Sequence, residues 1–339
     1  MSKQSNDILN KINFGWNLGN YFDCHSGGIS TKMSGNKNVD QVVGLWHNPK
    51  FNLKCLDNLN NVGVNCLRIP VTWCNFVEYN GKDYLINKDI FARLKQIVDY
   101  ALALDYVVII DMHHDDKNWL SITSSEIEFE EVKHEYINLW QQICIEFKNY
   151  NHNLIFEGMN ELINISNNNE DWIGNDLGYQ RVNELCELFV KTVRASGDKN
   201  KDRCLMIAPY GAQFHKHALR NFALPNDNNI IVDVHFYGKT IDKEVYIDYF
   251  KHLRALLLSN NIPVFVGEIG LKKAYRDRLD IFKVLIGYMK ELNLKIALWD
   301  NGTDRIFIDR ETGKIENQQF LDFVQNLHLN PDYTAKKST

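Results

Sequence analysis

Eight short apolar segments, rich in β-forming residues, alternate with stretches of helical periodicity along this chain. Several segments are almost continuously apolar, which is typical of parallel strands that are buried on both faces. They span residues 12–18, 62–69, 106–112, 154–159, 204–209, 230–236, 263–267 and 295–299. Amphipathic stretches follow most of them, at residues 90–104, 132–147, 182–193, 246–257 and 282–292. Repeated strand–helix units of this kind predict a parallel α/β architecture.

The number of units and the lack of a linker favour one closed domain. No Pro-, Gly- or Ser-rich segment divides the 339 residues, and eight-stranded barrels commonly reach this length. A doubly wound open sheet is the alternative, and it would be favoured by a phosphate-binding glycine turn after an early strand. Residues 15–19 lack a third glycine and open no helix. We therefore predict a single (β/α)8 TIM barrel over residues 1–339, with its core at about residues 12–328.

Composition restricts the expected partners. The net charge is −5 and the basic residues are scattered, so no nucleic-acid partner is expected. No apolar run could span a bilayer and none follows Met1, so we expect no membrane contact and no leader in the sequence as written. Seven cysteines without paired spacing favour buried free thiols and a cytoplasmic location, whereas a leader removed beforehand would mean secretion. We expect a monomer.

Polar and aromatic side chains crowd the C-terminal ends of the predicted strands, where barrels of this type carry their chemistry. Those of interest here are Asn20, Arg68, His113, His114, Asn160, Glu161, His235, Tyr237, Glu268 and Trp299. Arg68 lies on an otherwise apolar strand and needs a carboxylate close by, for which Glu157 and Glu268 are the candidates. Glu157 lies inside a strand, so we interpret it as a structural acceptor rather than a catalytic group.

Glu161 and Glu268 follow the fourth and seventh strands, whose ends lie across the mouth of a barrel from each other. Hydrolysis of a glycosidic bond with retention needs one carboxylic acid and one carboxylate, about 5–5.5 Å apart. The acid protonates the leaving oxygen, and the carboxylate attacks the anomeric carbon. The pair therefore predicts a retaining glycosidase, in which the environments of the two groups must differ.

The strand ends resemble those of glycoside hydrolase family 5, whose barrels carry two glutamates after strands four and seven. Seven segments match in the family's order and together extend over most of the chain. They are residues 15–20 (GWNLGN), 67–70 (LRIP), 111–114 (DMHH), 156–161 (FEGMNE), 234–237 (VHFY), 266–270 (VGEIG) and 298–302 (LWDNG). Residues 308–310 (IDR), which come after the last segment, resemble the branch that contains endo-β-1,4-glucanases, lichenases and xyloglucanases.

This resemblance implies that Glu161 is the acid/base and Glu268 the nucleophile. It implies that Arg68 and Tyr237 contact the nucleophile, and that Trp299 forms the floor beneath the sugar ring. The remaining substrate-binding residues that we predict are His113, His114, Asn160, His235 and Asn20. The family usually has proline after the acid/base, where this chain has Leu162, and the exchange is expected to alter the stiffness of that loop.

The sequence thus predicts a retaining endo-β-1,4-glucanase that acts on cellulose-like or mixed-linkage β-glucans without a cofactor. A β-mannanase, a xyloglucanase or a xylanase would share the barrel and both glutamates. A carbohydrate-binding barrel without activity would be favoured by a missing glutamate, and both are present.

The residues His113 to Asp116 could suggest a metal hydrolase, but no His-x-x-x-His pair or cysteine cluster supports one, so no metal is expected. Trp46, Trp73, Trp119 and Trp172 fall on presumed rim segments, either as packing or as sugar platforms.

Overall fold

The computed structural model of the chain describes residues 3–25, 37–166, 169–237, 243–270 and 278–316. Eight parallel strands close into a barrel in which each strand pairs with its neighbours in sequence, and the eighth pairs with the first. The strands are β1 (Phe14–Leu18), β2 (Val64–Ile69), β3 (Val107–Asp111), β4 (Leu154–Glu157), β5 (Leu205–Ile207), β6 (Ile230–Phe236), β7 (Val264–Ile269) and β8 (Lys295–Asp300). The predicted barrel is confirmed.

Helices surround the barrel and connect its strands. In chain order they are α1 (Lys3–Lys11), α2 (Val39–Val43), α3 (Cys55–Asn61), α4 (Lys88–Ala103), α5 (Glu126–Phe147), α6 (Asp176–Ala195), α7 (Lys216–Arg220), α8 (Lys243–Leu256) and α9 (Arg278–Glu291). The five predicted helical stretches coincide with α4, α5, α6, α8 and α9, and asparagine or serine side chains cap the first three of these. Among the described residues, no helix combines the length and the apolar character that crossing a bilayer requires.

The interior of the barrel is apolar at its lower end and charged at its upper end. Side chains at alternate positions of a strand point to the same side. Cys66, Ile109 and Ile155 belong to one buried apolar cluster inside the barrel. Two residues further along each of these strands stand Arg68, Asp111 and Glu157, all fully buried. The period of two therefore carries the inward positions from an apolar layer into a charged one.

Helix α1 closes the lower end of the barrel. Its Ile8 and Leu9, with Ile12 directly after it, belong to the same apolar cluster as the inward residues of the strands. The core therefore begins before residue 12, which was its predicted start. Residues 317–328 of the predicted core lie outside the described part of the chain. All seven cysteines are free and buried, as predicted.

Two small antiparallel hairpins lie on the connections that leave the upper end of the barrel. One pairs Val77–Tyr79 with Tyr84–Ile86 after β2, and the other pairs Asn164–Ser166 with Asn169–Asp171 after β4. Short 3₁₀ turns at Trp73–Phe76 and His114–Lys117 fix the chain directly after β2 and β3. These connections form the rim around the charged layer.

Candidate active site

Arg68 stands at the centre of the charged layer and contacts three carboxyl groups. Its Nη2 lies 2.6 Å from Asp111 and 2.6 Å from Glu157, and its Nη1 lies 2.7 Å from Glu268. The predicted partners Glu157 and Glu268 are both confirmed, and Asp111 is a third that the sequence analysis did not name. Burial alone would lower the pKa of Arg68, but the charges of Asp111 and Glu157 outweigh it and hold this pKa well above its usual range. The guanidinium therefore stays charged.

The carboxyl groups around Arg68 hold their protons more tightly than exposed ones. Burial raises the pKa of Asp111 to about 6 and that of Glu157 to about 8, and in both cases the charge of Arg68 opposes the rise. Glu157 accepts two hydrogen bonds from Arg68, at 2.6 and 2.7 Å. This bidentate geometry agrees with the interpretation of Glu157 as a structural acceptor.

Glu268 lies near the end of β7 and is almost completely enclosed. One oxygen accepts from Arg68 at 2.7 Å, and the other accepts a short hydrogen bond from the hydroxyl of Tyr237. Burial raises the pKa of Glu268, and the positive charges of His235 and Arg68 oppose the rise. Burial and the charge of Glu268 raise the pKa of Tyr237, so its hydroxyl remains a donor. Arg68 and Tyr237 thus hold both carboxylate oxygens in fixed positions.

Glu161 lies four residues after the end of β4, on the loop above the barrel. A carboxylate oxygen of Glu161, one of Glu268 and a ring nitrogen of His235 all lie within 4.8 Å of one another. The side chain of Glu161 is 21% exposed, whereas that of Glu268 is 4% exposed. The two glutamates that the sequence pairs are therefore brought together, in environments that differ in their access to water.

His235 connects the two glutamates to a buried aspartate. Its Nδ1 lies 2.7 Å from Glu161 and 3.7 Å from Glu268, and its Nε2 lies 3.0 Å from Asp233. Burial alone would lower the pKa of His235, but the charges of Glu268 and Asp233 outweigh it and raise this pKa well above the usual range. The ring is therefore an imidazolium that donates from both nitrogens. Asp233 was not predicted as a site residue. Its position in the sequence could have indicated it, because it stands two residues before His235 and therefore on the same face of β6.

Gly267 allows β7 to pass close to Asp233. Its backbone N–H donates to Asp233 Oδ1 at 2.8 Å, and a Cβ at this position would lie 2.5 Å from both carboxylate oxygens. Any other residue would push Asp233 aside. The glycine before Glu268 is thus required by the same contact that orients His235.

Asn160 and Asn17 complete the hydrogen bonds of Arg68. Asn160 Oδ1 accepts from Nη2 at 3.0 Å, and Asn17 Oδ1 accepts from Nη1 at 3.1 Å. With its oxygen used in this way, Asn160 has its amide NH2 to offer a ligand. Asn17 donates to the carbonyls of Gly267 and Leu298, and so fixes β1 to β7 and β8.

His113 and Trp299 form a stacked pair beside this network. Their ring centroids are 5.4 Å apart and their planes differ by 6°. His113 Nδ1 lies 2.7 Å from Asp111, and burial keeps the pKa of His113 well below its usual value, so the neutral ring donates from Nδ1. Trp299 also lies against Gly19, where a Cβ would be 2.7 Å from the indole ring. The glycine serves close packing of β1 on β8, in agreement with the absence of a phosphate-binding turn.

His114 and Asn20 make no direct contact with the two glutamates among the described hydrogen bonds and ring contacts. The ring of His114 contacts His113, with centroids 4.3 Å apart, and His25, at 5.4 Å. Asn20 adopts a left-handed conformation at the top of β1, with φ at 55°, and its backbone N–H donates to Asp23 at 3.0 Å. The structure thus brings six of the predicted residues together in one network: Arg68, Asn160, Glu161, His235, Tyr237 and Glu268. Asp111 connects His113 to this network, and Trp299 stacks on His113. His114 and Asn20 lie at the edge of the network.

Histidine and carboxylate atoms converge in three groups among the described residues. The groups are Asp23 with His113 and His114, Glu157 with Asp233 and His235, and Glu161 with His235 and Glu268. In the second and third groups these atoms already bond to one another or to Arg68. In the first, both oxygens of Asp23 accept backbone N–H groups. The hydrogen bonds account for the geometry, and the expectation of a metal-free site stays a prediction.

Comparisons with known proteins identify the family of the chain. The family model described as Cellulase (glycosyl hydrolase family 5) matches residues 24–305. Endoglucanase B of Neocallimastix patriciarum is 32% identical over 316 residues, which cover 88% of this chain and 65% of that protein. Endoglucanase B of Ruminococcus albus is 32% identical over 332 residues, which cover 93% of this chain and 76% of that protein.

Solved structures resemble the whole barrel. A xyloglucan-specific endo-beta-1,4-glucanase from a metagenomic library, in complex with cellotriose, superposes with a TM-score of 0.86 at 28% identity and covers 96% of this chain and 99% of its own. A broad specificity endoglucanase from Ruminococcus champanellensis with bound cellotriose superposes with a TM-score of 0.85 at 26% identity, covering 96% and 98%.

Proposed function

The chain belongs to glycoside hydrolase family 5, the cellulase family, and from that premise we propose that it is a retaining endo-β-1,4-glucanase. The observation that carries the proposal is the approach of Glu161 and Glu268, whose carboxylate oxygens lie within 4.8 Å. A separation of about 5–5.5 Å between carboxyl groups is typical of retaining glycosidases, whereas inverting enzymes need room for a water between them.

In the first step, Glu268 attacks the anomeric carbon while Glu161 donates its proton to the glycosidic oxygen. The bond between that carbon and the leaving oxygen breaks, and a covalent glycosyl-enzyme forms on Glu268. In the second step, Glu161 removes a proton from water, the hydroxide attacks the same carbon, and Glu268 is released. The two inversions give net retention, and both glutamates return to their initial protonation states.

The surrounding contacts suit these two roles. Arg68 and Tyr237 hold both oxygens of Glu268, so the attacking group needs no reorganisation when the reaction begins. Glu161 is more exposed and can receive water in the second step. The carboxylate of Glu268, held beside the reacting carbon, also stabilises the positive charge that develops on the sugar ring in the transition state.

The substrate assignment rests on relatives and on the stacked pair at the rim. Trp299 is partly exposed and can offer a flat face to a pyranose ring, while the stacked ring of His113 holds its plane. Two structural neighbours bind cellotriose, and one of them is xyloglucan-specific, so xyloglucan is the second candidate substrate. No described contact favours mannan or xylan.

The test is hydrolysis of carboxymethyl-cellulose, barley β-glucan, xyloglucan and mannan by the wild type, Glu268→Ala and the surface control Glu187→Ala. We expect the wild type and the control to cleave glucans and release β-configured ends. Glu268→Ala should lose at least about a thousandfold in rate, and added azide should trap its sugar as an α-glycosyl azide. Full activity in Glu268→Ala would refute the assignment of the nucleophile, and cleavage of mannan alone would refute that of the substrate.

We further propose a monomer that works in a reducing compartment. Seven buried free cysteines support the second part, because such thiols pack as small apolar groups and need no oxidant. Light scattering at several concentrations tests the first part. Cell fractionation tests the second, and recovery of the enzyme from the medium would refute it.

A further inference from the structure

A concave surface lies on the side of the barrel where the connections after β2 and β3 meet α5. It is a groove of about 810 Å³ between the first half of α5 and the hairpin that follows β2. The loop after β3 closes one end, where Trp119 lines the groove. None of the residues to which the hydrolytic reaction is assigned lines it.

One wall of the groove is aromatic and exposed. Tyr79 is 57% exposed, and its ring lies 4.7 Å from that of Tyr84 between centroids. The facing helix presents Ile127, which is 78% exposed. Flat apolar groups in this arrangement gain free energy when a ligand with an apolar face covers them.

The other wall carries carboxylates at successive turns of one helix. Glu130, Glu131 and Glu135 all line the groove from α5. Lys133 binds Glu130 at 2.5 Å, so this wall is not uniformly negative. Carboxylates accept hydrogen bonds from hydroxyl groups, and aromatic rings stack on the apolar faces of pyranose rings. A β-glucan offers both surfaces, since its equatorial hydroxyls lie around apolar ring faces.

The two walls are held at a fixed separation. Gln142 of α5 donates to the carbonyl of Tyr84 at 2.6 Å and accepts from the N–H of Ile86 at 2.9 Å. The same side chain thus satisfies two backbone groups of the hairpin from the helix. A pre-formed groove binds a ligand with a smaller loss of conformational entropy than a mobile one.

The groove and the active site share one structural frame. Asp115, directly after His113 and His114, accepts from the indole N–H of Trp119 at 2.8 Å. It also accepts from the backbone N–H of Trp73 at 2.9 Å, on the connection that leads to the hairpin. The loop that carries two predicted sugar-binding histidines therefore also builds the end of the groove.

We propose that this groove is an auxiliary β-glucan-binding site, which holds polymer close to the catalytic cleft. The proposal rests on the proposed function, because the ligand is the substrate class of the enzyme. Its consequence is a preference for long chains, since an oligosaccharide that fills only the cleft cannot reach the groove.

The experiment compares the wild type with Tyr79→Ala and Glu131→Gln on barley β-glucan and on an aryl cellobioside. Tyr249→Ala is the matched control, because Tyr249 is also an exposed tyrosine but lies on α8. We expect both groove variants to raise KM for the polymer about three- to tenfold, with kcat and the cellobioside kinetics unchanged. Electrophoresis through gels with β-glucan should show less retardation of the groove variants than of the wild type and the control.

The outcomes separate this proposal from the proposed function. A wild type that cleaves no β-glucan overturns the function. An active wild type whose groove variants match it in polymer KM and in gel retardation overturns the auxiliary site alone. Equal losses on polymer and cellobioside also overturn it, because they indicate damage to the cleft.

Discussion

Replacing Arg68 by methionine would leave a group of buried carboxyls without the cation that they surround. The guanidinium lies 2.6 Å from Asp111, 2.6 Å from Glu157 and 2.7 Å from Glu268, and Arg68 is fully buried. Removal of one partner from a buried ion pair costs about 3–5 kcal/mol, because the remaining carboxyl groups must either stay charged without a partner or take up protons. We expect the free energy of unfolding of Arg68→Met to lie about 3–5 kcal/mol below that of the wild type near neutral pH.

This difference should depend on pH in a defined direction. Burial raises the pKa of Glu157 to about 8 and that of Asp111 to about 6, against the effect of Arg68. A carboxyl whose pKa is higher in the folded protein binds more protons folded than unfolded between the two pKa values. The free energy of unfolding therefore falls as pH rises through that interval. Without Arg68 both pKa values rise further, so the free energy of unfolding of the variant should fall more steeply with increasing pH than that of the wild type.

Urea unfolding at a series of pH values between about 5 and about 8 measures the difference in free energy of unfolding between the wild type and Arg68→Met. This difference should be smallest at the acidic end. Arg203→Met is the matched control. Arg203 is also fully buried, but it donates to the backbone carbonyls of Phe147, Tyr150, Asn151 and Leu154. Burial lowers the pKa of Arg203 to about 10, so it stays charged in this range and its acceptors do not titrate. The reasoning is refuted if the loss in Arg68→Met is as independent of pH as that in the control.

Three further changes test the contacts around the two strands that carry the site. Tyr237→Phe removes a donor to Glu268, so the pKa of Glu268 should rise and the acidic limb of kcat/KM should move to higher pH by about one unit; an unchanged profile would contradict this. Asp233→Asn removes an anion 3.0 Å from His235, so the pKa of the imidazole, followed by NMR, should fall; an unchanged midpoint would contradict the proposed control of its charge. Gly267→Ala places a Cβ 2.5 Å from Asp233, so the free energy of unfolding, measured in urea, should fall by about 1–3 kcal/mol. An unchanged free energy of unfolding would mean that β7 can shift away from Asp233 without destabilising the fold.

The period of two explains why so much of the charged layer could be predicted from sequence. Arg68, on an apolar strand, had to meet a carboxylate, and the barrel brings Glu157 and Glu268 to it. Both follow from strand order and from which face a residue occupies. The same reasoning applied to β6 would have identified Asp233 beside His235, since the two residues alternate with apolar neighbours.

Other parts of the site depend on connections that carry no periodic signal. The hairpin after β2 consists of two strands of three residues each, which is too short for an alternation to be recognised. Its position follows from Gln142, a residue of a helix more than fifty positions away. Asp115 similarly accepts N–H groups from two separate connections. Such contacts between loops become visible only when the fold is known, so the groove could not be predicted from sequence.

Leu162 follows Glu161, the proposed acid/base, where the family usually has proline, and tertiary contacts hold this segment instead. Proline restricts one backbone torsion, but Leu162 is buried and its carbonyl accepts from the N–H of Gly211 at 2.9 Å. Two residues later, the N–H of Asn164 donates to the hydroxyl of Tyr210 at 2.8 Å, and that hydroxyl donates to the carbonyl of Asp171 at 2.6 Å. The connection after β5 therefore holds the chain on which Glu161 lies. Because burial and three hydrogen bonds restrict this segment, Glu161 can keep a defined position without the ring of a proline.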